Sequence, residues 1–67
     1  MIKIGKYQHF KGNYYEVLYL AKHSETEELL VVYRCEKDGS IWVRPFEMFF
    51  QKVMHNGELK DRFKYIS

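Results

Sequence analysis

Cysteine occurs once in this chain, at Cys35, so no intrachain disulfide can staple the fold and a small disulfide-built secreted scaffold is excluded. Proline also occurs once, at Pro45, and there is no linker, internal repeat or low-complexity tract. No apolar leader-like run follows Met1, because Lys3 and Lys6 interrupt it. No stretch approaches the ~18 apolar residues of a membrane-spanning helix. Long blocks of one charge are missing too. The net charge is only +2, which by itself is no nucleic-acid signal. These absences leave a soluble protein of a reducing compartment, with the cytoplasm as the expected location and no membrane association.

Aromatic residues are what the chain has in quantity. Six Tyr, five Phe and one Trp make up 18% of 67 residues. A chain of this size buries only about 60% of the surface it exposes when unfolded, so its core must be dense in large side chains. Each aromatic can bury roughly 150–250 Å², and this content rules out a disordered chain. One domain covering residues 1–67 is expected.

Short extended segments alternate with turn signals. Tyr7–Phe10 reads as a first strand, closed by Lys11-Gly12-Asn13. Tyr14–Lys22 is the clearest strand, with Tyr15, Val17, Tyr19 and Ala21 expected on one face. Ser24–Glu27 is polar and turn-forming, and Leu29–Cys35 is the next, β-branched strand. The register of this hairpin stays open. A five-residue loop, which places Ala21 opposite Val31 and keeps Arg34 and Glu36 on the more polar face, is favoured over a four-residue one. Asp38-Gly39 is a strong turn signal before the strand Ile41–Arg44. Pro45 ends that ladder and opens one helical turn in which Phe46, Phe49 and Phe50 share a face. A strand at Gln51–Met54, an Asn56-Gly57 turn and a last strand within Arg62–Ile66 complete the pass.

The fold class expected is all-β and mainly antiparallel. It is a small SH3-like barrel or roll of five or six short strands, with one helical turn near Pro45–Phe50. Closure would hide most sheet edges; a five-stranded OB-type barrel is the second choice.

Several phrases then invite comparison: Tyr7-Gln8-His9-Phe10-Lys11-Gly12, Tyr15-Glu16-Val17, Ala21-Lys22-His23-Ser24-Glu25-Thr26, Val31-Val32-Tyr33, Trp42-Val43-Arg44-Pro45 and Met48-Phe49-Phe50. In this order and spacing the chain resembles the bacterial domain-of-unknown-function family 1653 from about Gly5 to Phe63. The resemblance implies an SH3-type β roll, found mostly as stand-alone small bacterial proteins. It implies no activity and no site residues. Leu29, where proline is common, and Cys35 depart from the pattern outside the main phrases.

The chemistry-bearing residues are few. His9, His23, His55 and Cys35 have no spacing that suits a metal, for which a structural zinc site needs four ligands. Neither a metal nor another cofactor is expected. No Ser or Cys sits in a nucleophile elbow and no glycine-rich phosphate loop is present, so no catalytic residue is assigned. His9 and His23 each precede a turn, where an imidazole nitrogen can tie down backbone amides. Together they carry the weakest functional reading, a small hydrolase or transferase.

Trp42 and Arg44 share a strand face and form an aromatic platform beside a guanidinium that can pair with a carboxylate or phosphate. The plainer reading has Trp42 capping the barrel end, with Ile41 and Val43 in the core or shared with a partner. Tyr14, Tyr15, Tyr19 and Tyr33 could line a groove of the kind that binds extended peptides, although at least two of them are expected in the core. Tyr15, Tyr33, Trp42 and Arg44 are therefore the candidate partner-binding residues, with His9, Lys11 and His23 secondary. The function expected is a non-catalytic interaction module for a peptide or protein. The alternative is a nucleic-acid-binding accessory protein using Lys3, Lys6, Lys11, Lys60, Arg62 and Lys64. At least one of Met48 and Phe50 is expected at the surface, and both a monomer and a homodimer are open.

Overall fold

Tyr7, Val17, Val31, Tyr33, Phe49 and Phe63 are the buried core of the protein, seen in a computed structural model that describes residues 3–67. They come from four strands and the single helical turn, and Tyr15, Leu20 and Phe46 pack around them. The strands are β1 (Gly5–His9), β2 (Tyr14–Lys22), β3 (Leu29–Cys35), β4 (Ile41–Pro45), β5 (Lys52–His55), β6 (Glu58–Asp61) and β7 (Phe63–Tyr65), with α1 (Phe46–Phe49) between β4 and β5. Among the described residues no helix is long and apolar enough to cross a membrane.

Strands β1 to β4 form an antiparallel meander, and the chain returns to lay β7 against β1, giving the order β4-β3-β2-β1-β7. This is the small antiparallel roll expected from the sequence. Among the described residues, strands β5 and β6 pair only with each other, as a separate hairpin. Alternation directs Tyr7, Tyr15, Val17, Val31, Tyr33 and Phe63 to the inner face of the sheet. There Phe49 stacks on Phe63 with ring centroids 4.1 Å apart and meets Tyr7 and Tyr33 edge-on.

The expected registry of the β2–β3 hairpin needs correction. Ala21 pairs with Leu30, not Val31, and the His23 N–H donates to the Glu28 carbonyl, so the loop has four residues, Ser24–Glu27. The ladder then shifts again between Val17 and Tyr19. That bulge at Leu18 turns the strand over: Val17 and Leu20 face the core, while Tyr19 is 67% exposed. Tyr15, Val17, Tyr19 and Ala21 therefore do not share one face.

Among the described residues the strand count also rises to seven, because Glu58–Asp61 pairs with β5 across Asn56-Gly57. Both turn residues have positive φ, 53° and 78°, as a two-residue hairpin of this type demands. Ile41 and Val43 are not core residues; both lie on the outer sheet face, more than half exposed. Met48 and Phe50 are both exposed, as four apolar residues on one turn require.

Candidate cleft beside strand four

The β3–β4 register sets Trp42 opposite Tyr33 and Arg44 opposite Val31, all on the inner face. Because the core cluster fills that face only from Val31 toward β7, the β4 end stays open. The result is a cleft of about 250 Å³ lined by Tyr15, Tyr33, Cys35, Asp38, Ser40, Trp42 and Arg44. All four primary sequence candidates meet there.

A short polar relay fixes the indole. The Trp42 Nε1–H donates to Ser40 Oγ at 2.6 Å, and the Ser40 hydroxyl donates to Asp38 Oδ1, also at 2.6 Å. The Ser40 amide adds a bond to the same carboxylate oxygen at 3.0 Å. These Ser40 donors hold the Asp38 carboxyl below the usual carboxylate range, so it is ionised at neutral pH. With its N–H spent, Trp42 presents its ring, 55% exposed, as a wall of the cleft.

Arg44 closes the other end. Its Nε–H donates to the Tyr33 hydroxyl at 3.3 Å, and its guanidinium carbon lies 6.0 Å from the Phe63 ring centroid. The ion pairs among the described residues are Lys6–Glu36, Arg34–Glu16 and Lys52–Asp61. Arg44 is in none of them. Tyr33 itself is buried, so it forms the floor and offers only its hydroxyl. Burial first, and then the neighbouring Cys35 and Tyr33, raises the Tyr15 phenol above its ordinary range, which keeps it a neutral hydroxyl.

The secondary candidates lie elsewhere. His9 Nδ1 accepts the Lys11 amide at 3.2 Å, and His23 Nδ1 accepts the Glu25 and Thr26 amides at 3.1 and 3.4 Å. Both imidazoles brace turns. They sit at opposite ends of β2, and eight steps of ~3.3 Å along that strand place them roughly 25 Å apart. Burial, followed by the charges of Arg62, Arg44 and Lys11, pushes the His9 pKa below 6.5.

His9 also lines a second cleft, of about 440 Å³, with Gln8, Phe10, Lys60, Asp61 and Lys64. Lys3 and Lys6 lie away from it: Lys3 covers Tyr65, and Lys6 covers Tyr14 and pairs with Glu36. Among the described residues no group of three or more His, Cys, Asp or Glu is placed to hold a metal ion.

Cys35, Asp38 and Ser40 are the cleft residues that sequence reasoning missed. Two-residue alternation from Tyr33 to Cys35, and from Trp42 back to Ser40, is the signal that would have found two of them.

Comparison with known proteins gives a family and a fold. The family model described as a protein of unknown function, DUF1653, matches residues 5–65. The crystal structure of a DUF1653 protein from Bordetella bronchiseptica is similar, with a TM-score of 0.90 and 29% identity over 97% of this chain and 87% of that one. No curated protein matches the chain.

Proposed function

This chain belongs to the DUF1653 family, and since that membership brings a fold without an activity, we propose from the cleft alone that it is a non-catalytic interaction module. It binds a peptide or protein segment between Trp42 and Arg44, over Tyr15 and the Tyr33 hydroxyl. One observation carries this reading. The only Trp of the chain stands at the surface of a cleft whose cation has no carboxylate partner among the described residues. Aromatic side chains dominate the energetics of a small core, which favours taking the largest of them inward. Here the indole is instead held at the rim by a hydrogen bond to Ser40 Oγ. A guanidinium beside an aromatic face suits a carboxylate-bearing, partly apolar ligand. His9 and His23 are engaged with turn amides at opposite ends of β2, which supports a role without chemistry for that pair.

A nucleic-acid reading has its own observation. Lys60 and Lys64 converge with the His9 and Phe10 rings on the larger cleft, an arrangement of cations and stacking surfaces that suits single strands. One experiment separates the two. Trp42 is the sole tryptophan, so its emission reports occupancy of the smaller cleft directly. Titration with acidic peptides is expected to shift that emission, and Arg44→Ala, checked for folding by circular dichroism, is expected to abolish the shift. Salt-sensitive binding of a single-stranded oligonucleotide, lost in Lys60→Ala/Lys64→Ala and kept in Arg44→Ala, would replace the first reading by the second.

A further inference from the structure

The β4 strand ends the five-stranded sheet, and its free edge is unusually bare. Ile41, Trp42 and Val43 are consecutive, apolar, and 56%, 55% and 56% exposed. Proteins normally blunt such an edge with lysines, bulges or very short strands. The opposite edge does so: β7 is three residues long and carries Lys64. Strand β4 spans five residues and carries its blunting features, the inward charge of Arg44 and the edge proline Pro45, at one end only, which leaves Ile41, Trp42 and Val43 without any.

Backbone parity shows what this edge offers. The Cys35 N–H donates to the Ser40 carbonyl at 2.8 Å. In an antiparallel pair hydrogen-bonded positions alternate, so Ser40, Trp42 and Arg44 turn their main-chain groups toward β3. Ile41, Val43 and Pro45 turn theirs away. The free edge therefore presents the N–H and C=O of Ile41 and Val43, and the one residue without an N–H, Pro45, stands where no donor is needed for β3. The side chains of Trp42 and Arg44 rise from this edge into the cleft on the inner face, two residues apart.

We propose that the ligand of the cleft is an extended peptide that adds to β4 as a further strand, with an acidic side chain opposite Arg44 and an apolar or aromatic one, two residues away, opposite Trp42. This rests on the cleft reading above and specifies its partner. The residue between those two lies on the outer face over Val43, where a β-branched side chain fits. Charge complementarity chooses the occupant. Arg44 needs an acid, and Ile41-Trp42-Val43-Arg44-Pro45 of a second copy contains none. Antiparallel pairing of two β4 strands about Val43 would also set Pro45, which lacks a donor, opposite Ile41 at both ends.

The test uses a short synthetic peptide carrying Glu, Val and Tyr in that order, its reverse order, and the same peptides with Gln for Glu. The Glu peptides are expected to bind, with Gln weakening them by about tenfold. On binding, the Ile41 and Val43 amides should become protected from exchange. Val43→Pro removes only an outward N–H, so it should keep the fold and weaken binding by about tenfold or more. A peptide N-methylated at its Val should fail in the same way without any change to the protein.

Binding that is sensitive to Arg44→Ala, yet indifferent to Val43→Pro and to N-methylation, would overturn strand addition and leave the cleft reading standing. Indifference to Arg44→Ala as well would remove both. Protection of Ile41 and Val43 in the free protein, with a dimer in sedimentation, would assign the edge to a second copy and overturn the proposal.

Discussion

At the scale of single residues, His9 links local geometry to a measurable pH dependence. Its Nδ1 accepts the Lys11 amide, so the turn after β1 uses the neutral imidazole. Burial, and next Arg62, Arg44 and Lys11, all disfavour the charged form in the folded protein. In the unfolded chain the imidazole titrates near its ordinary 6.5. Above that value both states hold neutral His9 and the group contributes no slope. As pH falls through 6.5 the unfolded chain takes up a proton that the folded one refuses, so stability drops until the lower folded value is passed. Thermal unfolding followed from about pH 7 to about pH 5.5 should show a falling midpoint. His9→Asn, whose side-chain oxygen can still accept the Lys11 amide, should flatten that decline. An equal slope in wild type and variant would show that His9 is not its source.

Among the elements, α1 is the least able to stand alone. Four residues cannot form a stable helix in water, and this one has no side-chain cap. What holds it is Phe49, fully buried between Tyr7, Tyr33 and Phe63. Phe49→Ala should cost about 3–5 kcal/mol. That is a large part of the stability of a domain this small, at roughly 0.05–0.15 kcal/mol per residue. Met48→Ala on the same turn removes an exposed side chain and should stay within about 0.5 kcal/mol. Urea denaturation of the two variants makes the comparison, and similar losses would mean that α1 is not pinned by Phe49.

The same element scale explains what could be read in advance. β2, β3 and β4 announce themselves through β-branched and aromatic runs between turn residues, and Phe46-x-x-Phe49-Phe50 announces the helical turn. Trp42 and Arg44 were legible as a pair because alternation on one strand needs no tertiary knowledge. Their place beside Tyr33 follows from the β3–β4 register; what the sequence left open was the place of Tyr15, which depends on a β2–β3 register that a four-residue loop and the Leu18 bulge set together. A bulge leaves no mark in a strand apolar on both faces. Strand β6 escaped for the opposite reason: Glu58-Leu59-Lys60-Asp61 is exposed throughout and has no apolar face to show. Only Asn56-Gly57 pointed to it.

At the scale of the whole molecule, the protein is less round than a chain of its length would be if every part joined one core. Its radius of gyration is 12.1 Å and its extents are 38 × 24 × 19 Å, against about 11 Å expected for a compact domain of this size. The β5–β6 hairpin accounts for the difference in physical terms: neither strand contributes a buried residue. The bond from the Arg62 amide to the Gln51 carbonyl at 3.2 Å closes the hairpin's own ladder. Contacts that tie it to the main sheet include the Phe10 amide to the Arg62 carbonyl at 3.0 Å and an edge contact between the Phe10 and His55 rings. Opening the hairpin therefore exposes little apolar surface, whereas opening β2 from β3 exposes Val17, Val31 and Tyr33. Native-state hydrogen exchange should separate the two. Amides of Lys52–Asp61 should exchange through a low-energy local opening that leaves the main sheet intact, and those of β2 and β3 only with global unfolding. Denaturant should accelerate the second group strongly and the first hardly at all, because that dependence follows the surface exposed. A single opening energy shared by both groups would make the hairpin part of the cooperative core.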